Sequence, residues 1–356
     1  MRFSTCFTAQ PRRLINGLAI GLLLASCSAP DQARPPGQAS QPAQPEQTSQ
    51  PAAVPAGPIF VTLGTGGGPV IRRQRSEPAN ALVVGRAVYL FDAGAGTIHQ
   101  LVAAKLPLQQ LRAVFISHHH IDHNAGLAPL LLNRWLLSYQ PQPPLPIVGP
   151  PGTAALVRGL TAAYHAAERA PITDDGAPKP TLASTLAPRE LPPDPAAPQL
   201  VYQDENIKVL AVTNTHYHFP AGSPDQRFSR SYSYRIETPQ RTIVFTGDTG
   251  PSANVVALAQ GADLLVSEVI DVDQTLAMEK KMMPPAALKG ATAHLTQDHL
   301  TPAEVGKLAQ AAGVKQVVLT HLGPGSDGET DLSGYTKGLN TYYKGPVQVA
   351  QDLGRY

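Results

Sequence analysis

The stretch SHHHIDHNAG, residues 117–126, sets four histidines and one aspartate close together. Neutral imidazole nitrogens and carboxylate oxygens are ligands for zinc, iron and manganese. Alternate residues of an extended stretch face the same side, so His118 and His120 can hold one ion together. Asp122 and His123, past the turn, can reach a second. His119 occupies the intervening position, points away and reads as structural. A histidine-rich run by itself also fits a solvated loop, so a metal reading needs ligands from elsewhere in the chain.

Those ligands come at the ends of β-rich runs. IKVLAVTNTHYH ends in His216 and His218, which share one face of an extended strand, so spacing allows either. RTIVFTGDTG puts Asp248 where a strand meets a glycine turn, and VKQVVLTHLGPG puts His321 in the same situation. IFVTLGTGG and ALVVGRAVYLFDAG are short β-rich runs closed by glycine turns. LRAVFIS is a strand that runs straight into His118, and LAPLLLNRWLLS after Gly126 has helical length and apolar spacing. The histidine cluster therefore sits on a strand-to-helix loop, where a rigid scaffold can aim side chains at a ligand. With 356 residues, 42% hydrophobic and 15% charged, the chain can bury a sizeable core to hold such loops. It shows no repeat of solenoid length.

The set His-x-His-x-Asp-His, then His, then Gly-Asp-Thr, then a late Thr-His resembles the metallo-β-lactamase superfamily. Within it the chain is similar to the branch holding ribonuclease Z and zinc-dependent arylsulfatases. The shared pieces are LGTGGGP, FDAG, SHHHIDHNAG, VGPPGT, FTGDTG, ADLLVSEV and HLTPAEVGKLAQAAGVKQVVLTH. The resemblance covers roughly residues 59–350 by pattern. It implies an α/β fold, a four-layer αβ/βα sandwich with the metals at one edge between two β-sheets. It also implies two divalent ions, zinc first, with manganese or iron(II) as alternatives. His118, His120 and His216 would hold one ion, and Asp122, His123 and His321 the other, with Asp248 bridging. Motif position favours His216 over His218. Two such ions share a water and lower its pKa towards ~7, and Asp122 orients the nucleophile as well as binding metal. His299, in DHLTPAEVG, matches an acid histidine of ribonuclease Z, and Glu268, in LLVSEV, matches the glutamate that orients it. His299 also reads as a plain helix-entry residue beside the cap Thr301, and His294 is a weaker candidate near the same site.

The chain departs from ribonuclease Z in two places. Ser267-Glu268-Val269-Ile270 stands where that family has a His-Glu-Ala-Thr run. In place of a long basic, glycine-rich arm that grips tRNA stands PITDDGAPKPTLASTLAPRELPPDPAAP, proline-rich and nearly uncharged in sum. This stretch reads as a lid over the cleft or as a surface insertion. The expected activity is therefore metal-dependent hydrolysis of a small ester, an aryl or alkyl sulfate, a phosphodiester or a lactone. A non-catalytic metal-dependent binding or carrier lipoprotein is the alternative, and an RNA-processing nuclease ranks behind both.

The N-terminal segment supports that ranking. Arg2, Arg12 and Arg13 precede an apolar run over residues 14–25, too short to span a bilayer and suited to a signal-peptide core. It ends in Leu24-Ala25-Ser26-Cys27, which resembles a bacterial lipobox, cut before the cysteine and lipidated on its thiol. The expected organisation is a lipoprotein-type signal peptide over 1–26, a Pro/Gln/Ala-rich disordered tether over 27–58 and a hydrolase domain over 59–356. Cys6 would leave with the signal and Cys27 would carry lipid, so the mature domain has no thiolate site. Losing three arginines with the signal turns the formal net charge from +2 to −1. A near-neutral, exported domain lacks the basic footprint of a general nucleic-acid binder. The expected partners are a small-molecule ester and a membrane reached through Cys27, with no nucleic acid. The expected location is the periplasmic side of a membrane, and Ser28 favours the outer membrane in a Gram-negative host. Cys27→Ser is expected to move the protein into the soluble periplasmic fraction or to block its processing. A variant that stays in the membrane pellet and is cut at the same bond removes the lipoprotein reading.

Overall fold

The computed structural model describes residues 57–68, 70–138, 142–170, 179–195 and 197–356. The expected signal peptide, Cys27 and the expected tether up to residue 56 lie outside the described residues. Among the described residues no helix is long and apolar enough to cross a membrane.

In chain order the first strands are β1 Ile59–Gly64, β2 Ala79–Val84, β3 Ala87–Ala93, β4 Leu111–Phe115, β5 Leu145–Gly149 and β6 Leu186–Glu190. They are followed by β7 Gln199–Gln203, β8 Lys208–Thr213, β9 Tyr232–Glu237, β10 Thr242–Phe245, β11 Leu264–Ile270, β12 Val317–Gly323 and β13 Val347–Val349. A last strand, β14 Gly354–Arg355, returns to the edge of the first sheet. The described strands form two seven-stranded sheets, ordered β14-β1-β2-β3-β4-β5-β6 and β13-β12-β11-β10-β9-β8-β7.

The alternation of apolar residues shows why the sheets stack. In β3, Tyr89 and Phe91 join a core with Tyr234, Ile236 and Phe245 of the other sheet. Their neighbours Val88 and Leu90 join a different core with Leu127, Leu130 and Leu131 of the helix Leu127–Leu136. In β12, Val318 faces the first of these cores, while Val317 and Leu319 pack with Val305, Leu308 and Ala309 of the helix Pro302–Ala312. Both sheets thus bury both faces, which a period of two makes possible only with an apolar layer on each side. The outcome is helix, sheet, sheet, helix, the four-layer αβ/βα sandwich.

The helix that enters just after His299 has a sequence-encoded start. Thr301 caps the Glu304 amide and the Glu304 side chain returns to the Thr301 amide, with Pro302 at the first position. Residues 171–178 and 196 of the proline-rich stretch lie outside the described residues. Its portion Leu186–Glu190 is β6, paired parallel to β5 at the sheet edge, where the missing Pro188 donor is tolerated.

Strand direction gathers the loops at one end. β3, β4 and β5 run parallel, as do β10, β11 and β12, and β8 shares the direction of β10 because both are antiparallel to β9. The sheets are tied at that end. The Tyr232 amide donates to the Ser117 carbonyl at 3.0 Å, and the Tyr234 hydroxyl to the Ile116 carbonyl at 2.7 Å. The Leu322 amide donates to the Thr65 carbonyl at 2.8 Å, and the Gly67 amide to the Leu322 carbonyl at 3.0 Å. Asp352 then pins the loop after β1 by accepting from the Thr65 amide, the Ser76 amide and Gln100 Nε2.

Phe91 lies at the middle of the inter-sheet core, stacked on Phe115 at 4.8 Å and edge-on to Tyr234 at 6.0 Å. Phe91→Ala is expected to destabilise the protein by about 3–5 kcal/mol, and Phe91→Leu by clearly less, measured by urea unfolding. Equal losses for both variants would show that the ring's stacking partners are not what holds the sheets together.

Candidate metal centre

Each of the residues picked out by type and spacing arrives here from a strand end or the loop after it. His118, His120, Asp122 and His123 follow β4, His216 follows β8 and Asp248 follows β10. Glu268 lies within β11 and His321 within β12. Two of the backbone positions are unusual. Asp92 and His321 adopt φ of 60° and 46°, a region that L residues rarely enter. Glycine is required nearby: a Cβ on Gly68 would lie 2.0 Å from Asp122 Oδ2, so only a bare backbone passes that carboxylate.

Of five groups of ligand-type atoms mutually within 4.8 Å among the described residues, three are overlapping triads of the expected ligands, His118, His120 and His216; Asp122, His123 and His321; and His118, His123 and Asp248, while the other two bring in His299 with His216 and Asp248, and Glu268 with Asp248 and His321. Asp248 Oδ2 is 3.8 Å from His118 Nε2, 3.3 Å from His123 Nε2 and 3.1 Å from His321 Nε2. It therefore faces imidazoles of both other triads. His216 and His218 lie differently in space. His216 Nε2 lies 3.1 Å from His120 Nδ1, inside the cluster, whereas His218 turns its Nδ1 outward to Asp298 and is half exposed. His119 turns away to Thr153 and the Pro150–Pro151 backbone.

A second set of contacts fixes three of the rings. The Asp92 carboxylate takes His123 Nδ1 at 2.8 Å and also accepts from the Ser117 amide and hydroxyl. The Asp298 carbonyl takes His216 Nδ1 at 2.9 Å, and Ser117 Oγ lies 3.0 Å from His118 Nδ1. Each contact engages Nδ1 and leaves Nε2 aimed at the centre. Sequence reasoning gave no role to Asp92, Ser117 or Asp298. FDAG was visible as a motif, but nothing in its spacing points to His123, which lies 31 residues further on.

The metal fit can be tested on the protein's own atoms. Nε2 of His118, His123 and His321 and Oδ1 of Asp248 are buried without a hydrogen-bond partner, four of nine such side-chain atoms among the described residues. An unpaired buried polar atom costs about 1–3 kcal/mol, and four such atoms spread over overlapping groups of ligand-type residues fit a site built to receive cations. Burial keeps His118 and His216 neutral and lowers His120 to about 4, the form an imidazole needs as a ligand. Burial also opposes charge on His321, yet the Asp248 and Asp122 carboxylates outweigh it and raise the ring to about 10. The same carboxylates raise His123 against burial. Positive charge is thus called for between these two rings and the carboxylates, whether it comes as protons or as metal.

Beside the cradle, His299 Nδ1 lies 2.7 Å from Glu268 Oε2, both residues buried. Burial opposes a charged His299 ring, and the Glu268 carboxylate overcomes it and raises the ring's pKa. His299 Nε2 meets His294 Nε2 at 3.3 Å, and His294 Nδ1 is held by Asp298 Oδ2 at 2.7 Å.

The family profile described as "Beta-lactamase superfamily domain" matches residues 88–322. Ribonuclease Z of Brevibacillus brevis is 31% identical over 323 residues, covering 83% of this chain and 95% of the relative. Ribonuclease Z of Mycobacterium sp. (strain KMS) is 29% identical over 302 residues, with the same coverage. Among solved structures, the metallo-β-lactamase fold protein YhfI from Bacillus subtilis aligns with TM-score 0.58 and 20% identity over 84% of this chain and 99% of its own. Human tRNase Z, short form, aligns with TM-score 0.56 and 22% identity over 84% and 98%. These two share the fold.

The relatives correct one expectation. Their name is that of an enzyme acting on RNA, not on a sulfate or lactone, and this overturns the exclusion of nucleic acid as a partner. The exclusion rested on net charge and on one near-neutral segment. Net charge averages over the whole surface, whereas phosphate contacts depend on the local field in a cleft.

Asp92→Asn keeps the volume and removes the charge behind His123. It is expected to weaken metal binding roughly 10–100-fold while the circular dichroism spectrum stays unchanged. Competition against a chromophoric chelator measures this, and an unaltered affinity would leave Asp92 as a purely structural acid.

Proposed function

This chain belongs to the β-lactamase superfamily, in its ribonuclease Z branch, and from that premise we propose that it is a phosphodiesterase acting on a nucleotidic phosphodiester, RNA included. It is a metallo-hydrolase by family. The observation that carries the finer reading is the buried His299–Glu268 pair set beside the cradle of unpartnered ligand atoms. An ester whose leaving group is a ribose alkoxide needs a proton delivered there, and the relatives' name supplies the phosphodiester.

We assign His118, His120 and His216 to one divalent ion, Asp122, His123 and His321 to a second, and Asp248 to both, with zinc as the expected metal. When bound, such a pair lowers the pKa of water towards neutrality and neutralises charge developing on phosphoryl oxygens. The protein's own groups do the rest. Asp122 aligns the attacking water. Glu268 Oε2 accepts the Nδ1 proton of His299, fixes the ring and favours its charged form. The second proton, on Nε2, is the one available to the leaving oxygen. His294 is tied through Nδ1 to Asp298, so its bare Nε2 accepts that proton until substrate arrives. Export and anchoring through Cys27 are a separate proposal, supported by the sequence pattern of residues 2–28.

The test uses the purified protein with a short RNA, bis(p-nitrophenyl) phosphate, p-nitrophenyl sulfate and a lactone. Turnover of the diesters, lost with a chelator and restored by zinc, is expected to exceed that of the sulfate and lactone. His299→Ala is expected to slow the RNA by about 10²–10⁴-fold and the activated diester far less, with metal content unchanged. Preferred turnover of sulfate or lactone, or equal slowing of both diesters, would sink the assignment.

A further inference from the structure

The segment from β8 to β9 carries more than His216. Tyr217 sets its ring edge-on to His120 at 5.3 Å and to His118 at 6.0 Å, and its hydroxyl oxygen lies against the backbone amide of His119. Phe219, two residues on, stacks on Tyr217 at 5.4 Å and 22°. The order is thus cradle imidazoles, Tyr217, Phe219, solvent. Phe219 is 36% exposed, and neither ring belongs to any of the three core clusters. Among the described residues the ring partner of Phe219 is Tyr217, and neither cation–π contact involves the pair. The three core clusters do not account for this two-ring stack, whose outer ring stays 36% exposed.

We propose that the Tyr217–Phe219 stack is the seat for a substrate nucleobase, with the Phe219 face as the stacking surface. This rests on the phosphodiesterase reading for the group that lies over the cradle. In a nucleotide the base is one sugar away from its phosphate. A diester held by the cradle therefore brings its base to rings lying one and two places outward. The pair is well placed for this because Tyr217 is fixed at both ends, by His119 and by the imidazoles, so the platform is rigid before the ligand arrives. A bare π face accepts any base, which makes the site tolerant of sequence. Alternation along residues 216–219 explains the layout: His216 and His218 engage the two sides of Asp298, while Tyr217 and Phe219 build the stack.

The experiment compares two diesters with one leaving group, thymidine 5′-(p-nitrophenyl) phosphate and methyl p-nitrophenyl phosphate. Phe219→Leu keeps apolar volume without a π face, and Phe219→Tyr restores the face. Phe219→Leu is expected to raise KM for the thymidine diester about tenfold more than for the methyl diester, and Phe219→Tyr to restore the wild-type ratio. In parallel, the metal-loaded protein is titrated with 2-aminopurine riboside 5′-monophosphate and its fluorescence followed. Wild type and Phe219→Tyr are expected to quench it, and Phe219→Leu to bind about tenfold more weakly. An equal change of KM for both diesters assigns the face to the nitrophenyl ring or to structure and overturns the proposal. Hydrolysis of both diesters with quenching and KM ratio untouched by Phe219→Leu also overturns it, and leaves the phosphodiesterase reading standing. No hydrolysis of either diester, with quenching that Phe219→Leu abolishes, supports the platform and removes the phosphodiesterase reading instead.

Discussion

Nε2 of His118, His123 and His321 and Oδ1 of Asp248 are buried with no hydrogen-bond partner, although Asp248 Oδ2 stands 3.3 Å from His123 Nε2 and 3.1 Å from His321 Nε2. Left so, each would cost about 1–3 kcal/mol, an appreciable share of the ~5–15 kcal/mol by which a domain is stable. The arrangement calls for positive charge among these groups, and the surrounding contacts hold several of its rings in place. Three of its rings are held from behind. Asp92 holds His123, the Asp298 carbonyl holds His216 and Ser117 lies against His118. These holding groups come from segments as far apart as β3 and the turn before the helix Pro302–Ala312.

Two sheets are needed because one cannot supply the geometry. β4 delivers the histidine loop from the first sheet, and β8, β10 and β12 deliver His216, Asp248 and His321 from the second. The apolar layer between them, centred on Phe91, Phe115, Tyr234 and Phe245, sets their separation. The loop carrying Gly68, pinned through Asp352 and Leu322, closes the site from a third direction. Rigidity here serves affinity, since ligands that are already aimed lose little freedom when an ion arrives.

The chemistry of the site and the identity of its substrate rest on different features. The cradle and the His299–Glu268 pair suit hydrolysis of an ester in general. Under the phosphodiesterase proposal, what would distinguish a nucleotide from a sulfate lies outside the cradle, in surfaces such as the Tyr217–Phe219 stack. That is why net charge and the missing basic arm misled the reading of partners. Both describe how a long RNA would be gripped at a distance, and neither describes what lies beside the reacting phosphate.

Within the sequence, the ligand residues were visible as types at strand ends, because the order strand, turn, ligand is local and a period of two tells which neighbours share a face. The strands leading into His118, Asp248 and His321, the helix after Gly126 and the Thr301 cap were legible for the same reason. Local pattern could not separate His216 from His218, two residues apart with the same period. Asp298, some 80 residues on, separates them: its carbonyl draws His216 inward and its carboxylate holds His218 outside. Nor could it reveal Asp92 behind His123, Leu186–Glu190 as an edge strand or Phe219 stacked on Tyr217. Each depends on which segments the two sheets bring side by side, and only the packed tertiary structure decides that.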